Sequence, residues 1–127
     1  MAASPFIPSD TAKTVTIVTK WNLKADSIYY KVGNSNASYI VYNGLADDYW
    51  DIRTDGNIYI KEGFTSDTLG YILLSDSTIL INSFGLILNA DTAVSTIQNL
   101  TVHQAIIKSN TIPNPGGQYL RTVYLQR

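Results

Sequence analysis

"YWDIRTDGNIYIK", residues 49–61, is the stretch on which the reading of this chain turns. Two runs rich in aromatic and β-branched residues flank the turn dipeptide Asp55-Gly56, the signature of a β-hairpin. Two registers are open to it. A two-residue loop pairs Arg53 with Ile58 and Asp51 with Ile60, so charges share a face with isoleucines. A three-residue loop, Thr54-Asp55-Gly56, pairs Ile52 with Ile58 and Trp50 with Ile60. Its other face then carries Asp51 opposite Tyr59, Arg53 opposite Asn57 and Tyr49 opposite Lys61. Only the second register separates apolar from polar side chains, and a slip of one residue destroys that separation. The longer loop is a type I turn closed by a residue in the left-handed conformation. Gly56 supplies that conformation without a steric penalty. This hairpin buries Trp50 and turns Tyr49, Asp51, Arg53 and Tyr59 outward as the candidate partner- or glycan-contact face.

Similar runs recur along the chain: 13–20, 27–32, 38–42, 49–53, 57–61, 70–74, 78–81, 84–88 and 118–126. Gly, Asn, Asp, Ser and Pro clusters separate them. Strands at this spacing predict an all-β fold, an antiparallel sandwich or barrel of short strands. Residues 13–127 form one β-rich domain. Residues 1–12 carry two prolines and no periodicity, and read as an extended N-terminal arm that docks through Pro5, Phe6, Ile7 and Pro8. Residues 70–88 are apolar at both parities, so both faces of those strands are expected to be covered, by a neighbouring subunit or by the centre of a sandwich. Residues 91–112 are ambiguous. Asp91 suits a helix cap, but four threonines with Val94 and Val102 favour extended structure, in which Leu100, Val102 and Ile106 share a face.

The 127 residues are enough to bury a core without a staple. There is no cysteine, which removes disulfides, cysteine–zinc sites and thiol catalysis. The net charge is −1 and 15% of residues are charged, with no basic excess to attract a phosphate backbone, so nucleic acid is not expected as a partner. Few charges alongside 45% hydrophobic residues suggest a surface partly covered by another copy or a partner. The start, "MAASPFIPSDTAK", has neither a basic n-region nor an apolar core of signal-peptide length. The longest apolar runs are too short to cross a bilayer as helices, so membrane insertion is not expected.

Candidate chemistry is sparse. "DIRTDGN" (51–57) has the outline of a calcium loop, but the cation Arg53 stands at a ligand position. No metal or other cofactor is expected, and Asp47 and Asp48 read as a solvated loop. The lone histidine, His103, has no serine elbow to serve and reads as a surface side chain. A hydrolase built on Asp51 and Glu62 is conceivable in residue type alone, since nothing in the sequence sets the distance between the two carboxyls. No catalytic residue is assigned, and the chain is expected not to be an enzyme. Tyr29, Tyr30, Tyr39, Tyr42, Tyr49, Trp50 and Tyr59 crowd one region. Tyrosine offers a rigid ring with a polar tip, which suits protein interfaces and sugar stacking alike.

The opening "SPFIPSDTAKTVTI" (4–17) resembles the start of small structural proteins of tailed bacteriophages. "DIRTDGNIYIKEG" (51–63) and "STIQNLTVHQAII" (95–107) resemble the phrasing of phage fibre and capsid-decoration proteins. The resemblance implies a non-enzymatic virion component, usually a homotrimer, on the capsid exterior or in a head or tail fibre. Its partners would be itself, other virion proteins and a host surface glycan. It also implies assembly in the host cytoplasm without a signal peptide. The alternative is a carbohydrate- or receptor-binding β-module that uses surface tyrosines.

Overall fold

Tyr49–Ile52 and Asn57–Glu62 pair antiparallel, with Tyr49 opposite Lys61, Trp50 opposite Ile60, Asp51 opposite Tyr59 and Ile52 opposite Ile58. This is the register of the three-residue loop. The Arg53 N–H donates to the Asn57 carbonyl at 3.0 Å, and Gly56 sits at φ +87°. Trp50, Ile52 and Ile58 are at most 1% exposed, so hydrophobic segregation and turn geometry agree.

The computed structural model describes residues 15–34, 36–82, 93–110, 112–114 and 117–127. These form ten strands: β1 (Lys20–Val32), β2 (Ser38–Asn43), β3 (Tyr49–Ile52), β4 (Asn57–Glu62), β5 (Thr65–Ser75), β6 (Thr78–Ile81), β7 (Ala93–Gln98), β8 (Gln104–Ser109), β9 (Ile112–Asn114) and β10 (Gly117–Gln126). Every pairing is antiparallel. The order β1-β3-β4-β5-β6-β7-β8-β10 closes when β10 pairs back onto β1. The fold is therefore an all-β, eight-stranded, closed antiparallel barrel. Closure leaves no free edge within the ring.

Two further strands lengthen the wall at one mouth. β2 pairs with the distal half of β1, from Ala25 to Tyr30, along the edge that β3 uses nearer the start of β1. β9 pairs with the start of β10. Together β2, β1, β10 and β9 form a four-stranded extension of the barrel wall.

An eight-stranded barrel is just wide enough for its interior to be filled by side chains. Trp21 of β1 and Trp50 of β3 lie directly opposite each other in the pairing, and neither is exposed. Ile52, Ile58, Ile79, Ile81, Ile107, Val123 and Leu125 complete the packing. Each fully buried isoleucine contributes about 2 kcal/mol or somewhat more relative to exposure. Ile17 joins this core from the segment before β1, and its carbonyl accepts the Trp21 indole N–H at 2.9 Å.

Several expectations change. The strand expected at 13–20 is not one over 15–19. The first described strand starts at Lys20 and runs thirteen residues. Its early half, "KWNLKAD", alternates exposed and buried residues, with Trp21 and Leu23 inside. Within the 91–112 segment the described residues 93–110 are extended, as the two strands β7 and β8. However, Leu100 and Val102 lie in the connecting loop, and the inward residues are Ser95, Ile97, Ala105 and Ile107. Cross-strand pairing to Ile79 and to Ser109 chose that parity. On β5 and β6 the inward Leu69, Ile79 and Ile81 are buried, but Ile72, Leu73 and Leu74 are 59%, 39% and 52% exposed. No described residue gives them the second cover that their pattern suggested. The arm at 1–12, with Pro5, Phe6, Ile7 and Pro8, lies outside the described residues, as do the run at 84–88 and Asp91.

Candidate functional site

The outward face of the 49–61 hairpin is present, and its polar groups bond to one another. Arg53 Nε meets Asp51 Oδ2 at 2.8 Å, and its guanidinium lies 4.5 Å from the Tyr59 ring centre. The Tyr59 hydroxyl donates to Asp55 Oδ2 at 2.6 Å. Lys20 from β1 sits over Tyr49 at 4.5 Å. Tyr49, Asp51, Arg53 and Tyr59 thus share one surface, stitched together by ion-pair and cation–π contacts. Asp51 and Glu62 project from opposite faces of the sheet, since Glu62 shares the inward parity of Ile58 and Ile60. The two carboxyls therefore do not face each other across one surface. Glu62 also stands six residues after Gly56, where a calcium loop places its last carboxylate, but it points into the barrel and away from Asp51 and Asp55.

Inside the barrel mouth lies a charged cluster that local sequence patterns do not announce. Asp26 on β1 receives Arg121 of β10 in a two-point pair, Nε to Oδ1 at 3.0 Å and Nη2 to Oδ2 at 2.5 Å. Asp26 is 5% exposed. Glu62 of β4 reaches the same guanidinium at 3.8 Å and accepts the Trp50 indole N–H at 3.3 Å. Two carboxyls share one arginine. Burial, then the hydrogen bond and charge of Asp26, push the Glu62 carboxyl up to about 7, against the opposing pull of Arg121 and the indole. The cluster ties β1, β4 and β10 together where the four-stranded extension begins.

Asp48 corrects the solvated-loop reading. It is fully buried. Its Oδ2 accepts the Leu45 N–H at 2.9 Å and the Tyr42 hydroxyl, while its Oδ1 accepts the Gly63 N–H at 2.9 Å and Lys61 Nζ at 3.3 Å. Burial opposes the charge, but these donors win and hold the carboxyl well below the usual carboxylate range. The Tyr42 phenol is pushed up to about 12, first by the hydrogen bond it donates to Asp48. Asp47 remains exposed.

A second outer wall, across β2, β1, β10 and β8, presents three ladders of directly opposed residues. The first is Tyr39–Tyr29–Leu120, the second Val41–Ser27–Thr122–Lys108 and the third Asn43–Ala25–Tyr124–Ile106. Tyr29 and Tyr39 meet edge to face, with ring centres 5.2 Å apart. A groove of about 300 Å³ runs between Tyr29, Tyr39, Lys108 and Tyr124. A second groove continues from Tyr124 to Lys24 and His103. The crowd of tyrosines signalled this wall, but Lys108 and Tyr124 lie far along the chain and join it only through the β10 pairings.

Among the described residues no group of three or more His, Asp or Glu is gathered to hold a metal ion. Comparisons with protein-family models, with curated proteins and with solved structures gave no match.

Proposed function

We propose that this chain is a non-enzymatic structural module that self-associates, of the kind found on the exterior of tailed-phage particles as a fibre or capsid-decoration component. The observation that carries the reading is the outer face of β5–β7. There Ile72 opposes Leu80, and Leu80 opposes Val94. Ile72 on this stripe and Leu74, at the bulge two residues further along β5, are more than half exposed, although the barrel interior is already filled. Contiguous apolar surface of this kind favours association. The phage setting is supported by the phrasing of residues 4–17, 51–63 and 95–107.

Light scattering on the purified chain tests the association. A defined oligomer is expected, and the double substitution Ile72→Ser with Leu74→Ser should shift it to monomer while leaving the β-rich circular dichroism intact. A wild-type chain that stays monomeric at high concentration defeats the assembly reading. The setting is tested separately, by locating the chain and its copy number in a particle map.

A further inference from the structure

We infer that the outer wall formed by β2, β1, β10 and β8 is a binding site for an acidic polysaccharide. The inference does not depend on self-association, because none of the residues lining its two grooves belongs to the Ile72–Leu80–Val94 stripe.

Ring surface comes first. Tyr39 is 69% exposed and Tyr124 is 37% exposed, and Tyr29 holds Tyr39 in an edge-to-face pair. A tyrosine ring offers a flat apolar face with a polar tip, which matches the C–H face and hydroxyl rim of a sugar ring. The ladders run across neighbouring strands, with rows spaced roughly 7 Å along the strands and strands about 4.8 Å apart. Such a platform suits an extended chain of rings better than a single compact molecule. Ser27 and Thr122 put hydroxyls between the aromatic rows.

Charge comes second. Seven of the ten acidic residues lie between 47 and 76, on or near β3–β5. None of the residues lining the two grooves is acidic, whereas Lys108, Lys24 and His103 all line them. Lys108 makes no ion pair with any described residue. The grooves thus hold two lysines and no carboxylate in their linings, which favours an anionic ligand. The cations are few and spread over the grooves. A phosphate backbone would need a denser row, so a uronate-type polymer fits better than nucleic acid.

The test is calorimetric titration of the full chain with three probes: an oligogalacturonate, a neutral maltooligosaccharide and an oligothymidylate. The acidic saccharide should bind, with the neutral one weaker by roughly tenfold or more, about 1.4 kcal/mol. Tyr124→Ala and Lys108→Glu should each weaken the acidic saccharide by a similar factor, and Tyr124→Phe should retain most of the affinity. Ile72→Ser should leave binding unchanged. Three outcomes overturn the proposal: no saturable binding of the oligogalacturonate, insensitivity to Lys108→Glu, or stronger binding of the oligothymidylate. If Lys108→Glu instead changes the oligomer mass and no saccharide binds, the wall is a contact between copies and the proposal also fails.

Discussion

The Asp48 carboxylate accepts the backbone N–H of Gly63, fifteen residues downstream, at 2.9 Å. This bond fastens the loop before β3 to the hairpin after β4. The same side chain closes its own loop through the Leu45 N–H and anchors Tyr42 at the edge of the core. Removing it takes the acceptor from partly buried donors on three segments.

Asp48→Ala should therefore destabilise the fold by about 3 kcal/mol, since each buried donor left unpaired costs about 1–3 kcal/mol. Urea unfolding followed by tryptophan fluorescence measures the loss. A change below about 0.5 kcal/mol, the range of ordinary surface substitutions, would contradict the role assigned to Asp48.

Stability should vary with pH in two windows of opposite sign. The folded-state carboxyl of Glu62 is raised from 4.5 to about 7, so the folded protein binds that proton more tightly than the unfolded chain. Its contribution is full below 4.5 and is lost as pH rises to about 7. Asp48 is lowered from 3.8, so its contribution is present above that value and lost as pH falls below it. Maximum stability is expected near pH 4–5, between the two windows. Glu62→Gln should flatten the decline between pH 4.5 and 7 and leave the acid limb in place. Denaturation midpoints across pH 3–8 decide the matter, and an unchanged decline in Glu62→Gln would assign it to another group.

Two glycines should respond to substitution for different reasons. At Gly56 nothing lies within 4 Å of an added Cβ, so only the left-handed backbone at φ +87° resists a side chain. Gly56→Val should cost about 1–2 kcal/mol or more, and Gly56→Asn less, because Asn tolerates that conformation. At Gly44 an added Cβ would lie 1.8 Å from the Leu23 carbonyl oxygen, where the chain crosses β1 between β2 and β3. Gly44→Ala should be the more damaging change, since backbone must move to admit it. If Gly44→Ala melts within a degree or two of wild type, that crossing is looser than the contact implies.

The hairpin is legible in the sequence because its information is local. Alternation between Trp50, Ile52, Ile58 and Ile60 fixes one face, and Gly56 fixes the turn that matches it. The same logic fails at Asp48, which looks solvated beside Asp47. Its donors come from Leu45, Gly63, Tyr42 and Lys61, and no short window shows them converging. It fails again at residues 15–19, where alternation resembles a strand but Ile17 reaches the core from outside β1.

The sequence by itself determined an all-β chain, the register of its central hairpin and the burial of Trp50, because side-chain periodicity and turn chemistry act over a few residues. Tertiary structure alone decided that the sheet closes, since that rests on β1 meeting β10 some ninety residues away. Closure brings Arg121 to Asp26 and Glu62, and sets Lys108 and Tyr124 beside Tyr29 and Tyr39. Pairings at that separation depend on which whole strands fit together, and composition near either partner carries no record of the other.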